Sequence, residues 1–196
     1  MKEYKPFLMW DDSNKDGHAE TIMDYVISWC LRCTNYQYVK DFQPILHRYC
    51  MYMLCKLIGK LQDIDKISIE RVTVKKQEQK IDLWVEIDLR IDTKNESHAI
   101  LIEDKYYTGV HDDQLKRYRQ IFDEYYSDKS EFPEKNRHYA LITCLYDVDS
   151  HYDPLKAAAN ANNYQIYHLY ELADSSLNYK ESESDIYNEL FLREWL

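Results

Sequence analysis

The chain has 196 residues, with 25 Lys and Arg against 35 Asp and Glu, a formal net charge of −10 at pH 7. That length suits a single domain able to bury roughly 70% of its unfolded surface, and no run of 18 apolar residues is present, so a membrane-spanning helix is not expected. A protein that holds nucleic acid chiefly by phosphate contacts is usually basic, so such a role here would need a local basic patch, a partner subunit or bound metal ions.

The opening residues MKEYKPFLMWDD lack the apolar core and small-residue cleavage site of a secretory signal. Over 18–33, Ile22, Met23, Val26, Ile27 and Cys30 recur at helical spacing, with Asn14 or Asp16 available as a cap. A second helix, largely buried, is expected over about 39–61. Residues 67–74 alternate like a strand, and 80–92 do so more strictly. Ile81, Leu83, Val85, Ile87, Leu89 and Ile91 fall on one face; Asp82, Trp84, Glu86, Asp88, Arg90 and Asp92 fall on the other. The polar stretch 93–97 is expected to turn the chain into a strand over 98–107.

A helix over 111–126 would place Leu115, Tyr118, Phe122 and Tyr125 on one face. Residues 138–145 read as a strand. Asp153-Pro154 supplies an N-cap and a first helical residue for a short helix to about 162. A last strand over 164–169 and a terminal helix over 184–196 complete the order α-α-β-β-β-α-β-α-β-α. It implies an α/β fold in one domain, 1–196: a mixed sheet, an antiparallel meander leading into right-handed crossover units, covered by helices.

Cys30, Cys33, Cys50, Cys55 and Cys144 follow no disulfide framework, which points to a reduced, cytoplasmic chain. Cys30 and Cys33 have zinc-ligand spacing, and Cys50 and Cys55 would complete a set, but in helical stretches core packing is the better reading. Gly17, Gly59 and Gly109 are the only glycines. They exclude a dinucleotide-binding turn, a phosphate loop and a nucleophile elbow, and H-E-x-x-H is absent.

The chemistry concentrates in ILIEDKYY, residues 100–107, where Glu103, Asp104 and Lys105 end an apolar strand. Charges there must be solvated, paired or used, because an isolated buried charge costs several kcal/mol. The strands around 93–97 should form an antiparallel hairpin. Burying one continuous apolar surface then requires Leu83, Val85 and Ile87 to share a face with Ile100 and Ile102. That register puts Asp82 on the face of Glu103 and Lys105. Two carboxylates so close repel unless a cation lies between them or one is protonated. Mg(II), which binds through one or two carboxylates and keeps waters for substrate phosphates, fits; the Asp104 carbonyl could add a ligand. Lys105 would orient or deprotonate a water, or hold a phosphate oxygen. The bland alternative is an exposed Glu/Lys pair worth at most about 1 kcal/mol.

Three stretches carry a family resemblance: KIDLWVEI (80–87), ILIEDKYYTG (100–109) and QLKRY (114–118). Their order and spacing resemble the PD-(D/E)XK, restriction-endonuclease-like nucleases, in particular prophage- and defence-associated members with an R/K-I-D strand, an I-E-x-K strand and a Q-L-x-x-Y helix. No proline precedes Asp82, a departure that many members share. The resemblance implies a restriction-endonuclease-like mixed sheet flanked by helices. It implies Asp82 and Glu103 as metal ligands, Lys105 as catalytic lysine, Gln114 as a supporting residue, and Glu20 as an acid from the first helix. The implied activity is Mg-dependent phosphodiester hydrolysis, with Mn substituting, by a DNA endonuclease, with phage defence as a setting. The alternative is a catalytically silent module of this fold that binds nucleic acid or protein. A homodimer would suit cutting both strands of a duplex.

Lys75, Lys76 and Lys80, with Lys116, Arg117 and Arg119, could bind phosphates around this site, against the plainer reading of solvated faces among acids. The nineteen tyrosines read as strand and helix-face residues before base-stacking platforms. His111 reads as surface.

Overall fold

Alternating apolar residues after Lys80 become the second strand of a five-stranded sheet in the computed structural model, which describes residues 19–106, 109 and 113–193. β1 (Ile67–Glu78), β2 (Ile81–Ile91) and β3 (Lys94–Lys105) form an antiparallel meander. β4 (Arg137–Thr143) and β5 (Gln165–His168) continue it in parallel, in the order β1-β2-β3-β4-β5. The helices are α1 (Ala19–Cys33), α2 (Gln37–Phe42), α3 (Pro44–Leu57), α4 (Gln114–Tyr126), α5 (Tyr152–Ala161) and the short α6 (Asp185–Tyr187), which runs into a π-helical turn, Asn188–Arg193. α4 joins β3 to β4 and α5 joins β4 to β5. No helix among the described residues is long and apolar enough to cross a membrane.

The sheet is covered on both faces. Leu83, Val85 and Ile87 lie with Ile100 and Ile102 in a core shared with α1, α3 and the C-terminal turns. Leu83 pairs with Ile102 and Val85 with Ile100, the register that burial demanded. Trp84 and Leu101 pack on the other side with Leu115, Phe122 and Tyr126 of α4 and Leu155 of α5. The face of β2 expected to be polar is therefore partly core. Its polar groups are satisfied in a chain: Trp84 Nε1 donates to the Tyr126 hydroxyl at 2.7 Å, which donates to Glu86 Oε1 at 2.8 Å.

Several expectations shift, each for a local reason. The helix expected over 39–61 breaks at Gln43 (φ −134°, ψ 60°), because Pro44 disfavours the helical conformation in the residue before it. β1 runs on to Glu78, and β3 begins at Lys94: the residues expected as a loop mostly pair, and Asp92–Thr93 alone make the turn. Tyr126, rather than Tyr125, completes the buried stripe of α4 one full turn beyond Phe122. His151, rather than Asp153, is the N-cap of α5, so Pro154 lies inside its first turn. Asn14, Asp16 and His111 fall outside the described residues. The four cysteines weighed as zinc ligands are free thiols in the core; the neighbouring Cys50 and burial raise the pKa of Cys33, and burial raises that of Cys50.

Candidate active site

The β1–β2 turn aims the first acid. Glu78 pairs with Ile81, and the two residues between them, Gln79 (φ 55°) and Lys80 (φ 70°), are both left-handed, as in a type I′ hairpin turn. Ile81 turns to the α4 side of the sheet, breaking the expected alternation with Leu83. Asp82 follows at the strand end. Its Oδ2 accepts the Asp104 backbone N–H at 3.2 Å, and its Oδ1 accepts Gln77 Nε2 at 3.0 Å.

β3 supplies the next three groups from between two neighbouring strands, which is why they are buried: Glu103 is 1% exposed, Asp104 0% and Lys105 7%. Glu103 Oε1 meets Lys105 Nζ at 2.8 Å and accepts Gln114 Nε2 at 2.5 Å. Gln114 opens α4, and its Nε2 also approaches the Tyr118 hydroxyl at 3.4 Å. Asp104, next along the strand, points to the opposite side of the sheet. There, carboxylate oxygens of Asp24, Asp82 and Asp104 all lie within 4.8 Å of one another. Glu20, one turn before Asp24 on α1, accepts the Tyr106 backbone N–H at 3.2 Å.

This crowding of acids sets their protonation. Burial, then the Asp82 charge, raise the Glu103 pKa to about 8 against the pull of Lys105. Burial, then the Asp24 and Asp82 charges, push Asp104 well above the usual carboxylate range. Asp24 is raised as well, by burial first. Burial works against the charge of Lys105, but Glu103, Glu20 and Asp82 outweigh it and hold the ammonium above the ordinary lysine value. The raised Glu103 and raised Lys105 pull in opposite senses on one ion pair. Lys105 keeps its proton, because Glu103, Glu20 and Asp82 all favour its charge.

Four carboxylate oxygens, Asp24 Oδ1, Glu103 Oε2 and both of Asp104, are buried and accept no hydrogen bond among the described residues. Orphaned, hard oxygen donors converging from α1 and β3, beside Asp82 of β2, fit a divalent cation such as Mg(II) or Mn(II). Asp82 is the shared group, with Glu103 on one side of it and Asp24 and Asp104 on the other.

Asp82, Glu103, Lys105 and Gln114, singled out in the sequence, thus meet at one strand end, with Glu20 beside Lys105. Asp104, considered for its carbonyl, brings its carboxylate as well. Asp24 was missed, although a signal existed: it lies one turn from Glu20 among the apolar residues of α1 and is only 5% exposed. Of the basic residues, Lys76 lies over the Tyr25 ring and Lys75 faces Tyr125. Arg119 is occupied, donating to the Asn162 carbonyl at 2.9 Å and pairing with Asp123. Lys116 and Arg117 are exposed.

A mixed sheet with an acid, an acid-x-lysine strand end and a following glutamine helix defines a restriction-endonuclease-like α/β protein. A family model of the PD-(D/E)XK nuclease superfamily matches residues 13–194, and the chain belongs to that superfamily. No curated protein and no solved structure matches it.

Proposed function

We propose that this protein is a metal-dependent nuclease that hydrolyses DNA phosphodiester bonds at the Asp82–Glu103–Lys105 strand end, within a single catalytic domain. The observation that carries the reading is the set of buried, unpartnered carboxylate oxygens beside an ion-paired lysine. Asp82 and Glu103 would hold Mg(II), or Mn(II) in its place, with Asp104, Asp24 and Glu20 as further oxygen donors. When bound, such an ion polarises the phosphodiester and makes water a better nucleophile. Glu103, gripped by Lys105 and Gln114, cannot swing away from the cation. Lys105, held protonated by its acidic neighbours, orients the attacking water or a phosphate oxygen as a charged donor and is poorly suited to act as a base.

Asp82 and Lys105, the residues whose loss would silence the fold, are both present in the sequence, which favours an enzyme over a binding module. The restriction-endonuclease-like pattern favours DNA, a cytoplasmic setting and phage defence, and a homodimer would cut both strands. Exposed Lys116 and Arg117 at the start of α4 are available to phosphates.

The test is Mn(II) calorimetry on wild type, Asp82→Ala and Lys105→Ala, followed by plasmid cleavage. Asp82→Ala should lose binding. Lys105→Ala should keep it within about 3-fold while cleavage falls at least about 100-fold. Wild type that takes up no Mn(II) at millimolar concentration and leaves DNA intact would refute the reading.

A further inference from the structure

The β1–β2 hairpin is built against local preference. Gln77 (φ 54°), Gln79 and Lys80 all occupy the left-handed region, and no glycine is among them. Gln79 and Lys80 make the turn itself; Gln77 lies inside β1, where a strand needs no such residue. Backbone strain of this kind persists where surrounding structure uses it. The use is visible in the side chain. Lys76 pairs with Leu83 and Glu78 with Ile81, so Gln77 stands directly across from Asp82. Its Nε2 donates to Asp82 Oδ1 at 3.0 Å, and the same amide stabilises the neighbouring Asp24 carboxylate. An amide nitrogen has two hydrogens, enough to serve both carboxylates. The other Asp82 oxygen is fixed by the Asp104 N–H.

We infer that Gln77 is a positioning residue: its left-handed backbone turns the side-chain amide onto Asp82, on the side of Asp24, and fixes the Asp82 carboxylate for a divalent cation. The inference rests on the metal-dependent reading of the site. Ligating carboxylates are themselves held by outer hydrogen bonds, and losing such a partner typically costs 10–100-fold in metal affinity. The Gln77 carbonyl accepts the Lys80 N–H of the turn at 3.4 Å, but its side chain packs in neither core cluster and the residue is exposed, so the amide is left for the carboxylates.

Glycine substitutions separate the amide from the backbone. Gln77→Gly suits the left-handed residue and removes the amide; Gln79→Gly relaxes the neighbouring turn and leaves the amide in place. Mn(II) calorimetry and urea denaturation would be run on both variants and on wild type. Gln77→Gly should unfold at the same or higher urea concentration yet bind Mn(II) about 10-fold more weakly. Gln79→Gly should bind within about 2-fold of wild type, since it touches no ligand. Wild-type affinity in Gln77→Gly, or an equal loss in Gln79→Gly, would overturn the role of Gln77 and leave the metal site standing. A wild type that binds no Mn(II) would overturn the metal-dependent reading and this role with it.

Discussion

Replacing Glu103 by glutamine separates what a buried acid costs the fold from what it contributes to chemistry. Burial, reinforced by Asp82, raises its pKa from 4.5 to about 8 in the folded chain. Between those values the native state holds a proton that the unfolded state has released. Its contribution to stability is therefore full below pH 4.5 and is lost as pH rises through 8. Linkage puts the loss at about 1 kcal/mol by pH 5 and about 4 kcal/mol by pH 8, a difference of about 3 kcal/mol. Glutamine keeps the shape, still offers Lys105 an oxygen, and does not titrate. Its effect on the lysine is the same at both pH values, so it cancels from the difference. In EDTA, wild type should lose about 3 kcal/mol more than Glu103→Gln between pH 5 and pH 8, a gap of about 1 M in urea midpoint. Saturating Mg(II) should shrink the wild-type loss. Equal losses in the two proteins would show that Glu103 stays ionised against Lys105, and the reasoning from burial would fail.

Asp24→Asn removes a charge from the α1 side of the cluster and should weaken Mn(II) binding at least about 10-fold by calorimetry. The same variant should be more stable than wild type at pH 8 in EDTA, because the pKa of Asp24 is raised in the fold. Trp84→Phe breaks the indole bond to the Tyr126 hydroxyl and should cost about 1–2 kcal/mol in urea denaturation, with Mn(II) affinity unchanged.

The sheet was legible because burial on two faces leaves one workable register. Leu83, Val85 and Ile87 must meet Ile100 and Ile102, and that constraint alone carried Asp82 to the end of β3. Boundaries were less legible where a single residue overrides the pattern, as Pro44 does to Gln43. The turns were least legible. Nothing in Gln-Glu-Gln-Lys announces a left-handed hairpin, since such turns are usually written with glycine or asparagine, and the face switch of Ile81 follows from that turn. Asp24 was hidden by its surroundings: reading α1 for its apolar stripe passes over the one acid embedded in it. Glu103 and Lys105 were easier, because each sits at a strand end where a charge has no packing role; Gln114 was legible only through the resemblance of QLKRY to the family's helix.

The charge balance of the site bears on the order of binding. Among the described residues, Glu20, Asp24, Asp82, Glu103 and Asp104 meet Lys105, with Lys76 acting on Asp24 from outside, so even with two of the raised acids protonated the strand end offers a phosphate no net attraction. The whole chain, at −10, adds none. A divalent cation would reverse this: Asp82, Glu103, Asp24 and Asp104 would hold it in their ionised forms, and Lys105 would then be available to an incoming oxygen. On the proposed reading, cation uptake then precedes or accompanies nucleic-acid binding. It should also become tighter as pH rises, because the acids that must lose protons are those whose pKa values the fold has raised.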